Sequence, residues 1–108
     1  MHLIGEVGSK DVIILDDIAD TCNTMIEAAR ILKNRGARKI TAVVIHAIFS
    51  GNAIENLAKS SIDNFIMTTT IPDSKTTQEI RIHAYRLKLI KVDISNFLGE
   101  CIQRLQYR

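Results

Sequence analysis

Residues 12–24 read VIILDDIADTCNT. The four apolar residues at 12–15 form a run suited to a strand buried in a parallel sheet. Two acids follow, Asp16 and Asp17, then a short apolar spacer, Ile18 and Ala19, and then Asp20. Thr21, Cys22, Asn23 and Thr24 open an amphipathic helix. A strand that ends in acids and turns through small hydroxyl residues into a helix N-terminus suits a sugar phosphate. Carboxylates accept hydrogen bonds from sugar hydroxyls or hold a hydrated Mg²⁺. The N–H groups of the turn and the first helical residues cradle a phosphate. From Asp16 to Ala29 there is no Lys or Arg, and the first base is Arg30. A phosphate here is therefore held by backbone N–H groups, hydroxyls and the helix dipole. A Walker-type loop needs Lys before Ser or Thr after a glycine-rich turn, and the chain has none. The plainer alternative is a strand–turn–helix with Thr21 as N-cap and its acids in solvent.

The rest of the chain alternates strand and helix, which implies an α/β fold: a parallel sheet with helices on both faces. Strands are expected at about 11–15, 39–45, 64–69 and 87–92. A first helix is expected over 23–34, with Met25, Ala28, Ala29 and Leu32 on one stripe and Gly36 ending it. Ser50 or Gly51 is expected to cap a short second helix, with Ala53, Ile54, Leu57 and Ala58 facing inward. A last helix over 94–105 carries the stripe Ile94, Phe97, Leu98, Cys101, Ile102 and Leu105. Between Pro72 and Arg86 lies a polar stretch whose 78–86 part reads equally as a helical turn or a mobile loop.

A chain of 108 residues is one small domain. Hydrophobic residues at 46% suffice for a core, and 5% aromatics with no Trp point to aliphatic packing. The net charge of +2 is too weak to indicate nucleic-acid or membrane binding. No apolar run approaches the roughly 18 residues that span a bilayer. Cys22 and Cys101 have no metal-site spacing and no CxxC partner, and the N-terminus is not signal-like. These features point to a reducing, cytoplasmic setting.

Secondary candidates lie at the carboxyl ends of the later strands, where open α/β sheets bind ligands. His46, Ser50 and Gly51 border that edge, but His46 reads better as a turn hydrogen-bonder and Ser50 as a helix cap. Thr68, Thr69 and Thr70 reach the same edge, where threonine is also simply a good strand residue. A helix N-terminus favours the Cys22 thiolate, yet no base close in sequence supports a nucleophilic role. His83 and Tyr85 receive no role.

The stretch DDIADTCNT resembles the phosphoribosyl diphosphate (PRPP) signature loop of the ribose-phosphate pyrophosphokinases, or PRPP synthetases. MHLIGEV at 1–7, RGARKI at 35–40, HAIFSGNA at 46–53, TTTIP at 68–72 and VDIS at 92–95 resemble further segments of that family, in order. The family's enzymes transfer a diphosphoryl group from Mg-ATP to the anomeric hydroxyl of ribose 5-phosphate. They resemble two type I phosphoribosyltransferase-like domains in tandem and assemble into oligomers. The resemblance implies that residues 1–108 are a single, partial type I phosphoribosyltransferase-like domain, the later part of the second one. It implies that Asp16 and Asp17 contact ribose hydroxyls directly or through Mg²⁺. It further implies that Asp20 supports the loop and the sugar, and that Thr21, Cys22, Asn23 and Thr24 surround the 5-phosphate.

The chain lacks a counterpart of the family's N-terminal half, its pyrophosphate-binding loop and its basic catalytic loop. ATP is then expected to come through regions outside this chain or through a partner subunit, in a homo- or hetero-oligomer with PRPP synthetase. No catalytic residue is assigned, and little synthetase activity is expected of the isolated chain. The alternatives are a non-catalytic regulatory subunit and a phosphoribosyltransferase fragment. Asn23 stands where the resembling loop usually carries glycine. Asn is the residue that best tolerates a positive φ after glycine.

Overall fold

The computed structural model describes residues 5–70 and 87–107. The elements are β1 (Asp11–Ala19), α1 (Asn23–Asn34), β2 (Lys39–Ala47), α2 (Ala53–Ala58), β3 (Asn64–Thr68), β4 (Lys88–Val92) and α3 (Ser95–Gln106). The strands form one sheet in the order β1-β2-β3-β4, and every neighbouring pair is parallel. This is the parallel α/β sheet expected from the alternation. The stretch 73–86, with His83 and Tyr85, lies outside the described residues.

α1 occupies the expected span and ends as its sequence directs. Gly36 takes φ 91° just past the helix. Its N–H donates to the Lys33 carbonyl and that of Ala37 to the Leu32 carbonyl, the Schellman closure of the last turn. β1, in contrast, does not stop at Leu15. It continues through Asp16 and Asp17 to Ala19, paired with β2 at Asp16↔Val44, Ile18↔His46 and Ala19↔Ala47. Asp is a poor strand residue in isolation, but the neighbouring strand supplies the ladder. Each acid also turns a carboxylate back onto the next N–H: Asp17 donates to Asp16 and Ile18 to Asp17, both at 2.8 Å.

Two helix starts are capped by residues other than those the sequence offered, Thr21 in the plainer alternative and Ser50 or Gly51 for the second helix. Cys22, not Thr21, is the N-cap of α1, and Asn52, not Ser50 or Gly51, is the N-cap of α2. Neither makes a side-chain cap bond.

The core lies on one face of the sheet. Ile40, Ala42 and Val44 of β2 alternate inward and meet Phe65 and Met67 of β3. Met25 and Ala29 of α1 and Ala53 and Leu57 of α2 close the same cluster. The other face presents Ile13, Leu15, Val43, Ile45, Ile66 and Ile90 in register across four strands. Ile13 and Leu15 are 65% and 76% exposed. α3 forms where its stripe predicts, but Phe97, Leu98, Ile102 and Leu105 also face solvent. Helical cover on the described residues is thus concentrated on one side.

Candidate functional site

Six of the seven expected site residues surround one shallow concavity of about 170 Å³. Asp16 comes from the end of β1, Asp20 and Thr21 from the turn, and Cys22, Asn23 and Thr24 from the start of α1. Asp17 is outside its wall, as expected of the next residue along a strand, whose side chain alternates to the other face. Pockets that enclose a drug-sized ligand typically measure roughly 300–1,000 Å³. This one is sized for part of a ligand.

The floor of the concavity is the beginning of α1. No side chain caps it, and its first turn contains no acid. The first helical closure is the Ile26 N–H to the Cys22 carbonyl, at 2.9 Å. The N–H groups ahead of Ile26 therefore point out of the helix end with its positive dipole. The acids of the loop stand on its rim, so the site combines an anion-binding floor with hydrogen-bond acceptors for hydroxyls.

The turn is held by left-handed backbone at two non-glycine positions. Cys22 has φ 68° and Phe49 has φ 57°, each a conformation that costs an L-residue about 1–2 kcal/mol. Asn23 is not the left-handed residue. It is the first residue of α1, and Cys22 before it takes the positive φ. At Phe49 the ring packs on Phe65, with centroids 5.4 Å apart and planes tilted by 54°. Such aromatic pairs contribute about 0.5–1.5 kcal/mol beyond area burial, enough to offset much of the backbone cost.

Residues 48–50 also reach the loop directly. The Ile48 and Phe49 N–H groups both donate to the Ala19 carbonyl, at 2.8 and 3.1 Å, and the Ser50 N–H donates to that of Asp20 at 3.0 Å. Sequence reasoning placed Ser50 as a cap or cleft border and missed this backbone brace. The only sequence signal for it is the segment HAIFSGNA itself, because a positive φ at Phe cannot be read from composition.

The other candidates form a separate hydroxyl network at the same sheet edge. His46 Nδ1 lies 2.8 Å from Thr70 Oγ1, and the Thr68 and Thr70 hydroxyls both donate to the Ile45 carbonyl. The Thr69 N–H donates to the Val92 carbonyl at 3.1 Å. Asp93 accepts from the Ser95 N–H and hydroxyl, and with help from Thr69 its carboxyl is held below the usual range. These groups tie β2, β3 and β4 together and are satisfied by one another.

Cys22 corrects one expectation. Its side chain is 6% exposed. Burial, then the negative charges of Asp20 and Asp16, push its thiol up to about 12 instead of favouring the thiolate. A reagent that needs thiolate should therefore modify Cys101 first. In native protein at pH 8.5, we expect Cys22 to react with iodoacetamide at least ~10-fold more slowly than in the denatured chain. The same shift fixes the sign of a pH dependence. The folded state holds this proton more tightly than the unfolded chain, so stability is intact below about pH 9 and falls as pH rises toward 12. Cys22→Ala should lose that alkaline slope. Peptide mass mapping and denaturation at pH 8, 9 and 10 check both; equal alkylation in folded and denatured protein would show the loop to be open.

Among the described residues no group of three or more His, Cys, Asp or Glu is arranged to hold an ion. Asp16 and Asp17 are exposed, and each commits one oxygen to a backbone N–H. Mg²⁺ commonly takes one or two carboxylates and keeps several waters, which Asp16 on the wall of the concavity fits alone, since Asp17 points to the other face of the strand. Among the described residues, no helix is long and apolar enough to cross a membrane.

Sheet order, strand direction and the position of the acidic turn define the class as a parallel α/β unit with its site at the carboxyl edge of the first strand. The chain belongs to the phosphoribosyl synthetase-associated domain family, whose family model matches residues 1–108. It is 40% identical over 105 residues to the ribose-phosphate pyrophosphokinase of Haemophilus ducreyi, covering 97% of this chain and 31% of that protein. Ribose-phosphate pyrophosphokinase 3 of Saccharomyces cerevisiae is 41% identical over 105 residues, with the same coverage. The crystal structure of phosphoribosylpyrophosphate synthetase from Mycobacterium smegmatis matches with a TM-score of 0.80 at 26% identity, covering 96% of this chain and 33% of that one. The chain thus spans about a third of the length of these relatives.

Proposed function

We propose that this chain is the ribose 5-phosphate-binding part of a ribose-phosphate pyrophosphokinase, equivalent to the later part of the second domain. The observation that carries the reading is the gathering of Asp16, Asp20, Thr21, Cys22, Asn23 and Thr24 around one concavity at the uncapped start of α1. The helix end and the Thr21 and Thr24 hydroxyls receive the 5-phosphate. Asp16 and Asp20 accept from the ribose hydroxyls, while Asp17 faces away from the concavity. Asp16 would hold a hydrated Mg²⁺, which would supply charge neutralisation for the diphosphoryl group. The chain's own part is positioning of the sugar. Mg-ATP and the basic groups come from other regions of a longer polypeptide or from a partner subunit, in a cytoplasmic oligomer.

Titration calorimetry with ribose 5-phosphate and Mg²⁺ tests the proposal. The wild type is expected to bind, and Asp16→Asn with Asp20→Asn to weaken binding by at least ~10-fold, equivalent to about 1.4 kcal/mol, with an unchanged circular dichroism spectrum. No binding by the wild type, or equal affinity in both proteins, would overturn it.

A further inference from the structure

The brace under the loop is built from an unusual residue. Three consecutive N–H groups, at residues 48–50, converge on the carbonyls of Ala19 and Asp20. Consecutive N–H groups converge in this way only where the chain turns sharply, and the turn here is made by Phe49 at φ 57°. A bulky aromatic residue in left-handed backbone is an outlier that persists only when its surroundings over-determine it. The surroundings are visible: the Phe49 ring lies against the fully buried Phe65 of β3. Core packing therefore fixes a backbone turn, and the turn fixes the entrance of the site loop. At the loop's other end Cys22 is also left-handed and buried. Asp20 and Thr21 are suspended between two anchors.

We infer that Phe49 is a positioning residue for this site: its ring on Phe65 holds residues 48–50 in the turn that aims three N–H groups at the Ala19–Asp20 carbonyls and so sets the loop geometry for the ligand. The effect on ligand affinity rests on the ribose 5-phosphate reading above; the effect on the loop does not. Removal of Phe49 acts through the loop.

Phe49→Ala, Phe49→Leu and Phe49→Gly separate the possibilities. Phe49→Ala keeps the backbone cost and loses the ring. Phe49→Gly removes both, and Phe49→Leu retains an apolar anchor. In the free chain, the Ile48, Phe49 and Ser50 amides are expected to exchange with solvent roughly 10-fold or more faster in Phe49→Ala and Phe49→Gly than in wild type. Phe49→Leu should stay within about threefold. Ribose 5-phosphate affinity should fall by about tenfold in Phe49→Ala and Phe49→Gly, or roughly 1.4 kcal/mol, and be largely rescued in Phe49→Leu. A lower melting temperature with unchanged exchange and affinity would make Phe49 a core residue only and overturn the inference. If Phe49→Ala does not fold, Phe49→Gly, free of the backbone cost, decides by the same readouts. If wild type binds no ribose 5-phosphate, the functional proposal fails, while the exchange rates alone still decide the role of Phe49.

Discussion

Phe65→Ala should remove a large share of the protein's stability. Phe65 is fully buried in β3, between β2 and β4, and is among the largest side chains with no exposure. Its removal is expected to cost about 3–5 kcal/mol from lost transfer energy and the cavity left behind. Domains of this size have on the order of 5–15 kcal/mol in total. The loss is severe here because the buried cluster of the described residues lies on one face of the sheet, and among those residues no second layer absorbs a cavity. The melting temperature should fall by more than about 10 °C, read by circular dichroism. A fall of only a degree or two would mean that the cluster is not the centre of stability.

Concentration-dependent association is the second expected result. Ile13 and Leu15 on β1, Ile45 on β2 and Val92 on β4 are exposed on one sheet face, and α3 exposes Phe97, Ile102 and Leu105. Parallel sheets are ordinarily covered on both faces. Burying one such side chain yields about 1.5–3 kcal/mol, so even partial cover by another chain is favourable. At roughly tens of micromolar, where exposed apolar surface drives association, light scattering should show species larger than a monomer. Ile13→Lys with Leu15→Lys should shift the population toward monomer with little change in melting temperature, because neither side chain belongs to the buried cluster. A monodisperse wild-type monomer at that concentration would show that this face tolerates water.

The parts of the fold set by local chemistry were legible in the sequence. α1 runs from Asn23 to Asn34 as read, because its stripe and the glycine after it are both local signals. β2 begins at Lys39 for the same reason. What could not be read depends on partners distant in sequence. β1 runs on through two acids because β2 lies beside it. Cys22 takes the cap position in left-handed backbone, against the hydroxyl preference that pointed to Thr21, in a turn tied to residues 48–50. The site residues were visible as a string, since six of the seven are neighbours in the chain and stay neighbours in space. The thiol was misjudged because its surroundings, burial beside Asp20 and Asp16, outweigh the helix end that sequence alone supplies.

The register of the sheet bears on how the molecule reaches this state. Asp11 pairs with Lys39, Thr41 with Asn64 and Asn64 with Lys88, separations of 28, 23 and 24 residues by subtraction. No strand meets its neighbour through a tight hairpin, so each pairing closes a long loop before any ladder bond rewards it. The site inherits that order of events. Residues 16–24 carry its chemistry, but the groups that brace them arrive at 48–50, after β2. On a ribosome the acidic turn would emerge before its brace and remain unshaped until the second strand had docked, so ligand recognition must wait for the β1–β2 pairing.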